Sequence, residues 1–252
     1  MRVRLKALIA ALAGAALSLS AHAYDWNKAM QDVLKPASSG SPAASGVDAL
    51  SSGDINAGLK QALTQGAQAA VAQLGKTDGF YGNKALRIPL PGSLKKADKM
   101  MRLAGMGGQA DALILSMNRA AEAAVPQAQT LLVESIRSMT LEDAKGILTG
   151  GNTAATEFFR RKTEVQLTES FTPIVKATTD RVGLAQQYNQ YAGAAAQFGL
   201  LDKNQASIEQ YVTRQTLDRL YKVIGEQEQA IRANPMQAGS DLVKKVFGAA
   251  AK

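Results

Sequence analysis

The sequence predicts an all-α protein, with a single domain of about eight to ten helices after a signal peptide and a flexible tether. Hydrophobic residues make up 46% of the chain but aromatic residues only 5%, a composition that favours packed helices over sheets. Apolar residues recur at intervals of three and four along most of the chain. No segment alternates between polar and apolar residues for long enough to predict a strand, and no repeat of fixed period is present.

The first residues have the pattern of a cleaved secretory signal peptide. Arg2, Arg4 and Lys6 precede an uncharged apolar run at 7–19, and an Ala-His-Ala site then predicts cleavage before Tyr24. The apolar run is shorter than the roughly 20 residues that a membrane span needs. We therefore expect residues 1–23 to be removed and the chain to be exported to the periplasm, without a transmembrane span.

A tether is predicted between the signal peptide and the folded domain. Residues 24–46 combine a short amphipathic segment with a linker rich in proline, serine and glycine. The helical domain is expected to cover residues 47–252.

The first half of this domain is predicted to contain three helices and a long turn. The first helix begins at a cap, Ser52 or Asp54, and ends at Gly75. The segment KTDGFYGN at 76–83 is rich in turn residues, and LRIPLP at 86–91 must be extended because each proline disfavours the helical conformation in the residue before it. Helices follow at 94–103 and 110–125, and Pro126 either kinks the second or starts a new one.

The second half is predicted to be helical almost throughout. Residues 140–143 (TLED) form a capping box at the start of a short helix that ends at Gly150. A long helix then reaches Ser170, and Pro173 is expected to begin the next one. Helices at 206–224, with a further turn to 232, and at 240–247 complete the domain.

The scarcity of cysteine and histidine excludes many reactions. The chain has no cysteine, and its single histidine, His22, lies inside the predicted signal peptide. The mature protein would therefore lack the side chains of a Ser-His-Asp triad, a cysteine nucleophile, a zinc site or a thiol redox centre. We expect no metal and no cofactor. Ser93 opens an S-x-x-K pattern without its companion motifs, and a calcium-loop pattern opening at Asp202 lacks its glycine and glutamate.

Several stretches after residue 47 carry a family resemblance. In chain order they are DGFYGN at 78–83, IPLP at 88–91, MNRAAEAAVPQA at 117–128, MTLEDAKGIL at 139–148, AATEFF at 154–159, YN at 188–189, YVTRQTLDRL at 211–220 and IRANP at 231–235. In these stretches the chain resembles an uncharacterised family of exported bacterial proteins, known as domain of unknown function 4197. The resemblance implies an all-helical exported protein, often a lipoprotein, with no established activity. This chain departs from the lipoprotein pattern because it has no cysteine at the cleavage site.

Two polar groups are candidate ligand-binding residues. Asn118, Arg119 and Glu122 lie on or beside an apolar helix face, where they form either a polar patch that grips a ligand or a structural network that fixes how helices cross. Arg160 and Arg161 could bind an anion. Their alternative role is a solvated charged face, in which Arg160 pairs with Glu164 and Arg161 with Glu157.

The partners are predicted from charge and amphipathicity. The basic amphipathic segment at 94–103 indicates peripheral contact with anionic lipid head groups or, more simply, a solvated helix face, and the C-terminal LVKKVFGAAAK either docks on the domain or touches a membrane. Nucleic acid is not expected as a partner, because the basic runs are not interleaved with stacking aromatics. Aromatic residues at helical spacing, such as Tyr188, Tyr211 and Tyr221, are expected in the core.

Two functional hypotheses follow from the sequence. The favoured one is a non-enzymatic envelope protein that binds a lipid, an anionic ligand or another envelope protein. The alternative is a carboxylate-dependent enzyme acting on cell-wall glycan, with Glu122, Glu142 and Glu157 as candidate catalytic residues, because a glycosidase needs only positioned carboxyl groups.

Overall fold

The computed structural model describes residues 51–250, except residues 104, 106, 184, 190–206 and 238–239. Its described part is helical and contains no strand, which confirms the predicted all-α class. The predicted signal peptide, the tether and the start of the domain at residue 47 lie outside the described residues.

The helices are labelled here in chain order. They are α1 (Ser52–Gly75), α2 (Gly92–Leu103), α3 (Gly107–Ala124), α4 (Ala128–Arg137), α5 (Leu141–Thr149), α6 (Ala154–Thr179), α7 (Ile208–Ala233) and α8 (Asp241–Ala250). Two short 3-10 helices, Val125–Gln127 and Pro235–Gln237, connect α3 to α4 and α7 to α8. Residues 185–189 are also helical.

The two longest helices, α6 and α7, pack against each other and carry much of the core. α3 packs on α6, and α1 packs on α4, α7 and α8. Phe158, Phe159 and Phe171 of α6 and Leu220 and Tyr221 of α7 are each at most 1% exposed. Burying a large apolar side chain contributes roughly 1.5–3 kcal/mol, so the buried side chains of α6 and α7 make a large favourable contribution to folding.

Local signals in the sequence set several of the observed boundaries. α1 ends at Gly75, as predicted. Thr140 caps α5 as predicted: its Oγ1 accepts the Asp143 N–H at 3.0 Å, and the Asp143 carboxylate accepts the Thr140 N–H at 3.1 Å. These boundaries are predictable because the residues that form the cap are neighbours in sequence.

The predicted break at Pro173 is wrong. α6 runs without interruption from Ala154 to Thr179 and includes this proline. Proline has no N–H, so the Glu169 carbonyl loses its usual partner. Pro173 lies on the exposed face, where water can solvate that carbonyl, while Phe171 and Val175 hold the opposite face in the core at 0% exposure. Packing therefore outweighs the local break.

The bounds of other helices also differ from prediction: α2 begins at Gly92 rather than at residue 94, and α8 ends at Ala250 rather than at residue 247. α3 begins at Gly107 rather than at residue 110. α7 is continuous through Gly225, where the sequence predicted an interruption. A Cβ atom at Gly225 would lie 3.3 Å from Thr156 Oγ1, so this glycine allows α7 to approach the start of α6 closely instead of ending a helix.

The C-terminal helix docks on the domain, which is one of the two roles predicted for it. Val243, Val246 and Phe247 of α8 are at most 4% exposed, and α8 packs on α1. A Cβ atom at Gly58 of α1 would lie 3.0 Å from carbons of Leu242 and Val246, so the two helices are in close contact there. None of the described helices is long and apolar enough to cross a bilayer.

Candidate functional site

Asn118 holds a non-helical loop against α3. This loop, residues 76–91 between α1 and α2, is called the anchored loop below. The Asn118 Oδ1 accepts the Ile88 N–H at 2.8 Å, and its Nδ2 donates to the Ile88 carbonyl at 3.0 Å and to the Ile114 carbonyl at 2.7 Å. Asn118 is 0% exposed. Its amide is therefore occupied by backbone groups of the protein itself.

Glu122 holds the same loop one helical turn further along. Its Oε1 accepts the N–H groups of Phe80 and Tyr81, both at 3.1 Å, and its Oε2 accepts from Arg119 at 2.6 Å. Arg119 also donates to the Asp78 carboxylate at 2.8 Å. The structure thus brings Asn118, Arg119 and Glu122 together, in a network that joins a loop to a helix rather than one helix to another.

The turn at 78–82 needs glycine for a steric reason. Asp78 adopts a left-handed conformation with φ 66°. A Cβ atom on the next residue, Gly79, would lie 2.5 Å from the carbonyl oxygen of Leu74, closer than any real contact of that kind. The backbone therefore passes close to the end of α1, which places the N–H groups that follow within reach of Glu122.

α7 also holds the anchored loop. The Tyr211 hydroxyl donates to the Pro89 carbonyl at 3.0 Å, and Arg219 donates to the Arg87 carbonyl at 3.2 Å. Burial raises the pKa of Tyr211 and lowers the pKa of Arg219. The sequence did not identify these two anchors, because their partners lie more than a hundred residues earlier in the chain.

Arg160 belongs to the contact between α6 and α7. Its guanidinium lies 3.3 Å from Asp218 and 3.6 Å from Glu164, and its carbon is 4.6 Å from the centre of the Tyr221 ring. Arg214 completes the network with Glu164 at 3.0 Å. The predicted pair of Arg160 with Glu164 is present, and the same terminal nitrogen of Arg160 also contacts Asp218.

Arg161 lies apart from Arg160, in a shallow groove between α5 and α6 with a volume of about 460 Å³. Glu142 and Glu157 line the same groove, so two of the three candidate catalytic carboxylates meet one of the candidate arginines; Glu122 does not line it. The other lining residues are polar, small or partly apolar: Thr140, Asp143, Gly146, Ile147, Gly150, Gly151, Thr153 and Ala154. This groove is called the α5–α6 groove below.

The charged groups of the α5–α6 groove are largely uncommitted. Glu157 accepts the Thr153 hydroxyl at 3.1 Å, and the predicted pair of Glu157 with Arg161 is not among the ion pairs between described residues. Glu142 and Arg161 are exposed and have no hydrogen-bond or ion-pair partner among the described residues. The hydrogen bond from the Thr140 N–H lowers the pKa of Asp143. The groove therefore presents acceptors from carboxylates and donors from one guanidinium.

Gly150 allows a tight turn between α5 and α6 at the α5–α6 groove. A Cβ atom there would lie 2.5 Å from the Gly146 carbonyl oxygen and 2.6 Å from the Ala154 side chain. No atom would lie within 4 Å of a Cβ atom at Gly146 or Gly151. There is therefore open space beside the backbone of Gly146 and Gly151, which line the groove, and a ligand can approach it closely.

Glu228 is an anchor that the sequence analysis missed. Its carboxylate, on α7, accepts the N–H groups of Ala155 and Thr156 at 3.0 Å and the Thr156 hydroxyl at 2.9 Å, and so caps α6. Arg232 bonds the same carboxylate at 2.9 Å and the Ile147 carbonyl, at the end of α5, at 2.7 Å. A usable signal existed, because Glu228 follows Tyr221 by seven residues and thus falls on a buried face.

Comparison with known proteins identifies a matching family but no activity. A family model described as "Protein of unknown function (DUF4197)" matches residues 49–248. No curated protein and no solved structure matches the chain. Among the described residues, no group of three or more acidic, histidine or cysteine side chains is arranged to hold a metal ion.

Proposed function

Since the chain belongs to DUF4197, a family of proteins of unknown function, we propose a function from the geometry: a non-enzymatic periplasmic binding protein that holds a polar ligand in the α5–α6 groove. One observation supports this proposal above the others. The uncommitted guanidinium of Arg161 shares one concave surface with Glu142 and Glu157. Free groups of opposite charge in one groove are what a ligand with both donor and acceptor groups requires.

The charge balance of the groove narrows the ligand class. Glu142, Asp143 and Glu157 bring three carboxylates against the guanidinium of Arg161 and the nearby ammonium of Lys162, both of which help to lower the pKa of Asp143. The charged groups of the groove thus remain negative on balance, and a purely anionic ligand would be repelled more than attracted. A ligand with ammonium or hydroxyl donors and one carboxylate satisfies both sets of groups. Peptides and amino sugars of the cell wall have this chemistry, and so does an extended segment of another envelope protein. The polar lining suits such groups better than an acyl chain.

Binding can be tested with cell-wall fragments. We would titrate the mature protein with soluble glycopeptide fragments and follow the backbone amides of α5 and α6 by NMR. Arg161→Gln and Glu157→Gln should each weaken binding about tenfold, the effect of losing one charged contact of about 1.4 kcal/mol. Arg181→Gln is the matched control, because Arg181 is also exposed but does not line the groove. If all three variants bound the fragments with the same affinity, the proposal would be wrong.

A second candidate function is supported by the same groove. Two carboxylates in one cleft are the minimum requirement of a glycosidase, and Glu142 and Glu157 meet it. Both are exposed, whereas the general acid of such enzymes is usually shielded from water, so the geometry favours binding over hydrolysis. Glu122 is occupied by Phe80, Tyr81 and Arg119 and is not part of this candidate. Release of reducing ends from cell-wall glycan by the protein, lost in both Glu142→Gln and Glu157→Gln, would establish the enzyme instead.

The periplasmic location rests on the predicted signal peptide. We expect cell fractionation to find the protein in the periplasm, with a mass that begins at Tyr24. A mass that includes residues 1–23 would contradict the predicted cleavage.

Peripheral contact with an anionic membrane remains part of the proposal. Lys95 and Lys99 of α2 are exposed, and Leu103 at the end of this helix is 90% exposed. A basic helix with an exposed apolar residue is suited to anionic head groups. Flotation with anionic vesicles should carry the protein upward, and Lys95→Gln with Lys99→Gln should reduce this.

A further inference from the structure

The anchored loop is held more firmly than a connection between two helices requires. Asn118 and Glu122 of α3 and Tyr211 and Arg219 of α7 all bond its backbone, at Phe80, Tyr81, Arg87, Ile88 and Pro89. A backbone fixed before binding loses little entropy when a ligand arrives. Irregular segments positioned by a rigid scaffold are also where binding residues concentrate.

Arg87 is fixed on the surface of this loop while part of its guanidinium stays free. Its Nε donates to the Tyr81 carbonyl at 2.7 Å, and its guanidinium carbon lies 4.5 Å from the centre of the Tyr81 ring. Its two terminal nitrogens have no hydrogen-bond or ion-pair partner among the described residues. The same holds for the Tyr81 hydroxyl in the described part of the chain.

Arg119, on the same ring, shows the contrast. Its guanidinium carbon lies 5.7 Å from the Tyr81 ring centre, but its terminal nitrogens are bonded to Glu122 and Asp78. Of the two arginines at Tyr81, Arg87 therefore has both terminal nitrogens wholly uncommitted among the described residues, whereas each terminal nitrogen of Arg119 already donates one hydrogen to a carboxylate.

The anchored loop, which carries Arg87, has a net positive charge. Lys76 and Lys84 of the anchored loop are exposed and have no ion-pair partner among the described residues. Together with Arg87 they give the anchored loop three positive charges, against the single carboxylate of Asp78. This excess of two charges matches a phosphate monoester, which carries about −1.5 to −2 at neutral pH.

We propose that Arg87 and Tyr81 form a phosphate-binding site on the anchored loop, separate from the α5–α6 groove. The two terminal nitrogens of Arg87 donate to two phosphate oxygens, as guanidinium groups do in bidentate contacts. The Tyr81 hydroxyl donates to the third oxygen or to the ester oxygen. The phosphate belongs either to a small soluble monoester or to a lipid whose head group is a phosphate monoester, as in phosphatidic acid, and both present the same chemistry.

Two probes distinguish these sources. Glycerol 3-phosphate represents the soluble ester, and vesicles of phosphatidylcholine with phosphatidic acid represent the lipid. Titration of the full mature chain would follow the Nε–H resonance of Arg87 by NMR, with vesicle flotation in parallel. A shift of this resonance with glycerol 3-phosphate indicates the soluble ester. Flotation that depends on Arg87 without such a shift indicates the lipid.

The variants separate a specific contact from general charge. Arg87→Gln should weaken binding of the active probe about tenfold or more, and Arg87→Lys should do nearly the same because lysine keeps the charge but not the fork. Arg181→Gln, which removes an exposed arginine elsewhere, should leave binding unchanged. The midpoint of thermal unfolding should be unchanged in each variant, which shows that the variant still folds. Equal affinity in all variants, or no binding of either probe up to about 10 mM, would overturn the proposal.

Discussion

The start of α6 and the anchored loop are both held by a buried glutamate, and the surroundings of the two glutamates differ. The side chains of Glu228 and Glu122 are 4% and 5% exposed. Each carboxylate accepts two backbone N–H groups and pairs with an arginine of its own helix. The partner of Glu228, Arg232, is 13% exposed, whereas the partner of Glu122, Arg119, is 35% exposed.

The remaining hydrogen bond of each arginine shows what each site joins. Arg232 donates to the Ile147 carbonyl, so the Glu228 site ties α5, α6 and α7 together in the interior. Arg119 donates to the exposed carboxylate of Asp78, so the Glu122 site ties one helix to a surface loop. Removing one partner of a buried ion pair is costly, because the other charge is then left without either a partner or solvent. The same chemistry should therefore govern global stability at Glu228 and local order at Glu122.

The largest effect is expected from Glu228→Ala. This change leaves the Arg232 charge and the first N–H groups of α6 without their acceptor, and should lower the free energy of unfolding by about 3–5 kcal/mol. Urea unfolding measures it. Glu226→Ala is the control, because Glu226 pairs with Lys222 at the surface, where both are 51% exposed, and should cost at most about 1 kcal/mol. If Glu228→Ala and Glu226→Ala had equal urea midpoints, Glu228 would contribute no more to global stability than a surface ion pair does.

The α6–α7 side of the comparison should also be sensitive to alkali. Burial raises the pKa of Tyr221 to about 12, from an ordinary value of 10.0. The stability that this neutral phenol contributes is complete below about pH 10 and is lost as the pH rises towards 12, by about 2–3 kcal/mol for two pKa units. Tyr221→Phe should show a smaller loss of stability between about pH 9 and pH 12 than the wild type. Parallel pH profiles for both proteins would refute this assignment.

A smaller and more local effect is expected from Glu122→Ala. The N–H groups of Phe80 and Tyr81 lose their acceptor, at a cost of about 1–3 kcal/mol. Hydrogen exchange should become faster at these two amides but not at Ala155 and Thr156, which Glu228 holds. If all four amides exchanged faster together, the distinction between a local and a global anchor would fail.

The smallest effect is expected from Asp78→Asn. Asparagine tolerates the positive φ at this position, so only the exposed pair with Arg119 is lost, which is worth about 0–1 kcal/mol. Thermal unfolding should show a nearly unchanged midpoint. A loss as large as that of Glu122→Ala would mean that Asp78, and not Glu122, positions Arg119.

The sequence predicted those parts of the fold that depend on neighbouring residues. The capping box at Thr140 and the end of α1 at Gly75 are local, and both were confirmed. The break predicted at Pro173 failed because burial of Phe171 and Val175, which no local rule contains, holds α6 together.

The candidate site was predictable to a similar extent. Asn118 and Glu122 stood out because they are polar residues on an apolar face, although their partners in the anchored loop could not be inferred from spacing. Glu228 satisfies the same criterion on α7, but its partner at Ala155 lies 73 residues away in the chain. Glu142 and Arg161 line the same groove because of the way α5 turns into α6. Only the three-dimensional structure shows this turn.

The cap on α6 also has a consequence for the order in which the chain folds. The first turn of α6 is completed by a carboxylate that is synthesised after the whole of that helix and most of α7. Contacts between such distant residues form slowly, because the intervening chain must first be closed into a loop. The beginning of α6 should therefore stay frayed in any nascent or truncated chain that ends before residue 228, and become protected from proteolysis only when α7 has folded back upon it.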